Sequence, residues 1–397
     1  MRVSSIKLLH ADAGYRNAHY LKVTTDEGLV GWSEYYDGFN GSTLADAIQQ
    51  FGATLIGAAI DPRDVGVLSE TLTATTRLAA GGVSQQAIAA LENACLDIKA
   101  KALGIPVYAL FGGPFRTRLP VYWTHCGSFR VAHAKFYEEV VGVPPIRSLD
   151  DFRAIGQEAR KLGYRAVKTN PVSFAGGQPR MFNGGFRLRP GMLHRNVEPT
   201  DLFEIADQMA ALRDGIGPDA DLMLDVSFSQ RPEGYIRIAQ AIESSRPTWL
   251  ELDIHDADAL AFIRQKSSVP IASLEGIYGL WAYRPYLERL ATDVAIIDVM
   301  WNGVWQSARI ATLADAHHVN IAPHNPVGDL GTLMSAHLSA AVPNFRILEL
   351  RVDEAPWCRD YLTHPPEVSG GILTVPDRPG WGSDINEAAL SEHPPLR

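Results

Sequence analysis

Residues 1–38 alternate apolar and polar positions with the period of two that half-buried strands show. Val3, Ile6 and Leu8 open one run, and His19-Tyr-Leu-Lys-Val-Thr-Thr makes a second. Leu29-Val-Gly-Trp-Ser-Glu34 makes a third after an Asp26-Glu27-Gly28 turn, which predicts an antiparallel meander. The period then changes. Leu44, Ala47, Ile48, Phe51, Leu55 and Ile56 recur at helical spacing and predict a helix over residues 43–57. A second helix is predicted over 84–102. Ser84 is its candidate N-cap, Ile88, Leu91, Ala94, Cys95, Ile98 and Ala102 line one face, and Gly104-Ile-Pro106 stops it. Strands followed by helices predict an α+β domain over residues 1–117.

From Arg118 the texture is different. Short unbroken apolar runs return at a period of about 25 residues, the length of one strand, one helix and two loops. They fall at 119–125, 164–170, 222–227, 249–253, 270–275, 293–298, 319–324 and 345–349, with helical patterns such as 150–162 and 305–317 between them. Eight buried strands each followed by a helix predict an α/β fold, a closed parallel (β/α) barrel over 118–350. No sequence repeat accompanies the period, so the repetition is structural. Residues 171–200 break the rhythm with a long stretch rich in Gly, Pro, Arg and Phe. That stretch leaves the end of the second strand and is expected to act as a lid. Residues 351–397 lack barrel periodicity and are expected to pack back on the N-terminal domain.

Composition narrows the class. The chain has 397 residues, 46% apolar and 20% charged, as a large globular enzyme would. A net charge of −9 without a basic stripe argues against nucleic-acid binding. Three cysteines, Cys95, Cys126 and Cys358, form neither a disulfide framework nor a zinc motif. No apolar run reaches the length of a membrane span, and a cytoplasmic setting is expected.

Barrels of this kind carry their chemistry at the C-terminal ends of the strands. Those ends read His125, Lys168 with Asn170, Asp225 with Ser227, Glu251 with Asp253, Glu275, Asp298, His324 and Glu349. Three consecutive strands thus end in Asp225, Glu251 and Glu275. Carboxylates that converge repel unless a cation lies between them, and oxygen-only ligands suit a hard ion such as Mg2+, with Mn2+ an alternative.

The chain resembles the enolase superfamily, in particular its mandelate racemase and sugar-acid dehydratase branch. The resemblance runs through Asp26-Glu-Gly-Leu-Val-Gly-Trp-Ser-Glu34, the stretch from Ala94 to Val107, Tyr108-Ala-Leu-Phe-Gly-Gly113 and the three acid-ended strands. It continues in Lys168-Thr-Asn170, Ala322-Pro-His-Asn-Pro-Val-Gly328 and Val375-Pro-Asp-Arg-Pro-Gly-Trp-Gly382, where galactonate-type dehydratases look most similar. It implies Asp225, Glu251 and Glu275 as metal ligands, His324 as general base, Asp298 as its orienting acid, and Glu349 as an acid near the substrate carboxylate. Lys168 matches the first lysine of a Lys-x-Lys motif, while Asn170 stands where racemases carry a catalytic lysine. Ser227 stands where many dehydratases carry a histidine. Leu274 replaces a usual glycine and Leu252 a usual second acid.

The reaction expected is proton removal α to a carboxylate, then loss of a β-hydroxyl, giving a 2-keto-3-deoxy acid from an aldonate or aldarate. Asn170 cannot act as a base and Ser227 is a poor one, so one-base chemistry on His324 is the expectation, with Lys168 remaining as a further candidate. His125, Tyr122 and His194 are alternative acids for the leaving group, and Tyr15, Trp123 and Ser227 are candidate substrate contacts. Arg180, Arg187, Arg189 and Arg195 give the lid a cationic character. A cycloisomerase, lactonising enzyme or epimerase using the same half-reaction is the alternative, and a non-catalytic binding protein a lesser one. The partner expected is a small sugar acid, with no nucleic acid and no membrane. The resemblance also implies a homo-oligomer, dimeric or octameric.

Overall fold

A computed structural model describes residues 1–38, 42–76, 81–181, 196–228 and 230–396. Val3–Asp12, Asn17–Thr25 and Val30–Tyr35 form a three-stranded antiparallel meander. Helices Thr43–Ala53 and Gly82–Leu103 pack against it, and Val65–Thr76 packs on Gly82–Leu103; this second helix has no counterpart in the sequence reading. Gly82–Leu103 is buried along most of its length because it lies between the meander and the barrel. It ends at Gly104 in the left-handed conformation (φ +69°), as the Gly-Ile-Pro stop predicts.

The barrel strands are Arg118–Trp123, Ala166–Thr169, Asp221–Asp225, Trp249–Glu251, Ile271–Ser273, Val294–Asp298, Asn320–His324 and Leu348–Leu350, here strands one to eight. Each pairs with the next in parallel from strand one to strand seven. Strand eight pairs with strand one, and a parallel bridge from Ile321 to Phe345 closes the ring. The fold is therefore the capped α/β barrel expected. Its interior is filled by Tyr122, Ala166, Met223, Trp249, Ala272, Val294, Ile296 and Ala322, one or two from each of strands one to seven, and by Ile347 just before strand eight, as side-chain alternation requires.

The chain after strand eight does two things. A hairpin, Glu367–Ser369 and Ile372–Thr374, adds antiparallel to the start of strand one. Further on, Trp381 donates its backbone N–H to Asp97 at 3.0 Å and its indole N–H to Trp32 O at 2.8 Å, gripping the capping helix and the meander together. No described helix is long and apolar enough to cross a membrane.

Candidate active site

The parallel register puts the strand ends at one level. Asp225 stands directly opposite Glu251, and Asp298 opposite His324. Side-chain hydrogen bonds then fix what the register only brings near.

Asp225 Oδ1 accepts the backbone N–H and hydroxyl of Ser227 at 2.9 and 3.2 Å, and its Oδ2 accepts from Asn170 Nδ2 at 3.2 Å. Ser227 thus braces a candidate ligand from a left-handed turn (φ +49°). Glu251 accepts from Lys168 Nζ at 2.7 Å and from Trp249 Nε1 at 3.0 Å. Glu275 follows Leu274, a buried non-glycine residue at φ +89°. Asp253 holds that turn, accepting from Ser273 Oγ (3.0 Å), Leu274 N (2.8 Å) and Gly276 N (3.1 Å). Burial, together with the neighbouring acids, raises the Glu275 carboxyl well above its ordinary value although His324 pulls it down. Burial likewise pushes Glu251 up to about 7 against the pull of Lys168. Among the described residues, no three His, Cys, Asp or Glu side chains are already gathered around one point as ligands. The donor set is nevertheless all oxygen, on adjacent strand ends, and its carboxyls are strained by one another. A hard divalent cation fits that chemistry.

His324 Nδ1 lies 2.7 Å from Asp298 Oδ2. Asp298 Oδ1 meanwhile accepts the N–H groups of Met300 and Trp301 at 2.6 and 3.1 Å, capping the short helix Val299–Asn302. The carboxylate can only accept, so Nδ1 carries the hydrogen and Nε2 is the working nitrogen. Nε2 faces Glu275 Oε1 at 3.5 Å and Glu349 Oε2 at 3.9 Å. Burial opposes charge on this ring, but Glu275, Glu349 and Asp298 outweigh it and raise His324 to about 10. Trp301 packs against His324 with centroids 5.2 Å apart, and Tyr278 stacks on Trp301. These two rings wall the site and went unmarked in the sequence, where they look like ordinary apolar positions.

Lys168 is fully ion-paired. Its Nζ lies 2.7 Å from Glu251 and 3.1 Å from Glu349, over the Tyr122 ring. Burial disfavours its charge, yet the two carboxylates outweigh burial and hold it well above the usual lysine value. A lysine so held is a fixed cation in this arrangement. Glu349 also accepts from Thr124 Oγ1 (2.5 Å) and Asn325 N (2.9 Å). Burial works against its charge, but Lys168, His324 and His125 bring it down to about 2.

Four candidate substrate contacts fare differently. His125 follows strand one, half-buried, with Nδ1 2.7 Å from Asn170 Oδ1. Tyr15 comes from the capping meander, stacks on His133 at 3.8 Å and lies under Arg351, its hydroxyl buried without a hydrogen-bond partner among the described residues. Trp123 does not line the chamber. Strand alternation turns its ring to the helix side, against Tyr164 and Arg130, while Tyr122 points inward. His194 lies outside the described residues, as do Arg187, Arg189 and Arg195; Arg180 is described, exposed, in a short ribbon pairing Val172–Ser173 with Arg180–Met181. Asp253 belongs to the site machinery although no role was expected of it. Its signal was an acid two residues beyond Glu251, on the same side of an extended chain.

A capped barrel with an oriented histidine facing clustered acids defines an enolase-type catalytic scaffold. Residues 151–389 match the enolase C-terminal domain-like family, and residues 13–112 match the mandelate racemase / muconate lactonizing enzyme N-terminal domain. The chain therefore belongs to the mandelate racemase / muconate lactonizing enzyme family of the enolase superfamily, a family of enzymes. A D-xylonate dehydratase of Haloferax volcanii is 28% identical, over 94% of this chain and 84% of the relative. A D-galactonate dehydratase family member of Streptomyces bingchenggensis is 29% identical, over 96% and 90%. A solved structure from Burkholderia xenovorans strain LB400, named as an L-alanine-DL-glutamate epimerase and bound to magnesium and fumarate, is 42% identical. It superposes with a TM-score of 0.94 over 100% of this chain and 96% of that one.

Proposed function

We propose that this chain is a divalent-metal-dependent hydro-lyase that dehydrates a sugar acid to a 2-keto-3-deoxy acid, with His324 as the base. The observation that carries the reading is the His324–Asp298 pair at 2.7 Å, its outer nitrogen Nε2 3.5 Å from Glu275 in the barrel mouth; a cation on Glu275 would offset the acid that favours a proton on that nitrogen and so leave it able to act as the base. Asp225, Glu251 and Glu275 would hold Mg2+ or Mn2+. When bound, that ion supplies a Lewis acid for the substrate carboxylate and a positive charge to offset an enediolate, chemistry of which enolase-superfamily sites are a standing example.

This chain's own residues do the rest. Asp298 fixes the His324 tautomer, so Nε2 receives the α-hydrogen, and the same carboxylate stabilises the imidazolium that forms. Lys168 and Glu349 form a fixed ion pair beside the reacting carboxylate and keep that charge pattern rigid. Trp301 and Tyr278 shield His324 from water on one side. The sugar-acid names of the relatives support the substrate class, and a small acid is the partner expected.

Epimerisation is the second reading, favoured by the name of the 42% identical structure. It needs a proton carrier on each face of the α-carbon, and Lys168 is tied up as a cation. The deciding experiment incubates purified protein, Mg2+ and a library of mono- and diacid sugars in D2O. Keto product that is lost with EDTA and in His324→Asn protein is the expected result. Inverted, deuterated substrate without keto product would point to an epimerase. Self-association as a dimer or octamer belongs to the same proposal and is read by light scattering, and a cytoplasmic setting goes with it.

A further inference from the structure

Asn170, a candidate catalytic residue at the place where racemases carry a lysine, makes hydrogen bonds that give it a task of its own. Asn170 is 2% exposed, and every polar atom of its side chain is used. Its amide nitrogen reaches Asp225 O at 3.3 Å and Asp225 Oδ2 at 3.2 Å, two atoms that can only accept. The amide is thereby oriented, and Oδ1 must face the other way. There it meets Ser128 Oγ at 2.9 Å and His125 Nδ1 at 2.7 Å. An oxygen acceptor requires hydrogen on His125 Nδ1, so in the neutral ring Nε2 carries the lone pair.

The ring itself is held firmly. His125 sits in the left-handed region (φ +51°), an uncommon conformation for histidine that is found where surrounding structure enforces it. Its ring stacks on Phe129 with centroids 3.7 Å apart and planes 5° from parallel. The next residue, Cys126, donates its N–H to Lys168 O at 2.8 Å, which pins the turn to strand two. Burial holds the His125 imidazole below its ordinary value; Glu349, Asn170 and Asp225 pull it up and Lys168 pushes it down, all members of the candidate site. Glu349 also acts on His324, so one carboxylate on strand eight lies within the influence of both histidines. Among the described residues, nothing hydrogen-bonds His125 Nε2.

We propose that His125 is a second proton-transfer residue, Nε2 serving the substrate, and that Asn170 is its positioning residue. The proposal rests on the reading that His324 removes the α-hydrogen. In dehydration, His324 Nε2 takes that hydrogen as a proton and the C–H electron pair enters the enediolate. The pair returns to form the Cα=Cβ double bond as the Cβ–O bond breaks. His125 takes a second proton from solvent on Nε2 before this step, and that proton passes to the departing oxygen, which leaves as water and returns the ring to its Nδ1–H tautomer. Solvent reprotonates His125 and deprotonates His324 between turnovers. His125–Asn170 thus resembles His324–Asp298 with a neutral amide in place of the carboxylate, and in both pairs the inner nitrogen of the imidazole is committed.

Full-length protein with Mg2+ tests this in two arms. In long-range 1H–15N NMR of histidine-labelled protein, His125 is expected as the Nδ1–H tautomer near neutral pH, shifting to a mixture in Asn170→Ala. An Nε2–H tautomer in the wild type overturns the proposal. The second arm uses D-galactonate, D-xylonate and D-gluconate in D2O. Asparagine adopts the left-handed region readily and its amide still donates to Asn170, so His125→Asn preserves the turn. That variant is expected to lose keto-product formation by about 100-fold or more while α-deuterium exchange persists, because abstraction by His324 continues and the enediolate returns. Product formation at wild-type rate in His125→Asn, or equal loss of exchange and product, overturns the role of His125 alone. Absence of both exchange and product in the wild type, with all three acids, overturns the dehydratase reading and this role with it.

Discussion

Replacing Glu92 with glutamine tests how the capping helix is locked to the barrel next to Asp298. Glu92 lies on Gly82–Leu103, fully buried. Its Oε1 accepts the N–H groups of Trp305 and Gln306 at 3.0 and 3.4 Å, the first turn of the barrel helix Val304–Ala316, and Oε2 accepts from Ser69 Oγ at 3.0 Å. Gly303 (φ +83°) is what lets the helix come so close, since a Cβ there would meet Glu92 Oε1 at 2.0 Å. Asn93 completes the joint, donating to Val299 O at 2.9 Å and accepting from Val304 N at 2.8 Å. The segment so held, Val299–Asn302, is the one capped by Asp298.

Burial pushes the Glu92 carboxyl from 4.5 up to about 7, even though Ser69 and the helix N–H groups pull it down. The folded protein therefore binds the proton more tightly than the unfolded chain does. The stability from this group is complete below pH 4.5 and is lost as pH rises through about 7. At about 1.4 kcal/mol per pH unit the loss amounts to about 3 kcal/mol by pH 8. Glutamine keeps the accepting oxygen for Trp305 and Gln306 and cannot ionise. Urea denaturation of wild type and Glu92→Gln at pH 4.5 and pH 8 should show their stability difference moving by about 3 kcal/mol in favour of the variant at the higher pH. A difference that stays constant across that range would refute the assignment of a buried, proton-binding Glu92.

Asp298→Ala removes the acceptor that sets the His324 tautomer. We expect kcat for α-hydrogen exchange to fall about 10²- to 10⁴-fold with KM little changed, and a change confined to KM would contradict the role. Lys168→Met leaves Glu251 and Glu349 without their shared cation, and should destabilise the fold by about 3–5 kcal/mol in denaturant titrations; unchanged stability would mean the ion pair is not a structural element. Leu274→Ala and Leu274→Gly both lose a buried side chain, at about 2–5 kcal/mol. Only glycine relieves the left-handed backbone, so the glycine variant should be the more stable of the two by about 1 kcal/mol, and the reverse order would show that the φ of +89° costs nothing.

Much of the architecture is written locally. Eight apolar runs at a regular spacing, each followed by a helical stretch, point to parallel strands buried on both faces, so the strand ends are legible from pattern, and with them the row Asp225, Glu251, Glu275, Asp298, His324 and Glu349; the ring closes through strand eight on strand one. Side-chain period within a strand is equally local, and it should have warned that Trp123, next to inward-pointing Tyr122, faces the helices. The second capping helix, Val65–Thr76, escaped because its apolar positions are interspersed with threonine and serine, which blur the stripe. What the sequence could not decide is pairing between distant side chains. Lys168 became a fixed cation only when Glu251 and Glu349, from strands four and eight, closed on it. Asn170 looked like a lost lysine until Asp225 on one side and His125 on the other fixed its amide. Asp253 gained its task from three groups in the turn before and after Glu275. Periodicity records which face of a strand is buried, and that is set by solvent. Proton positions and charges depend on partners many residues away, and only the closed barrel brings those partners within hydrogen-bond reach.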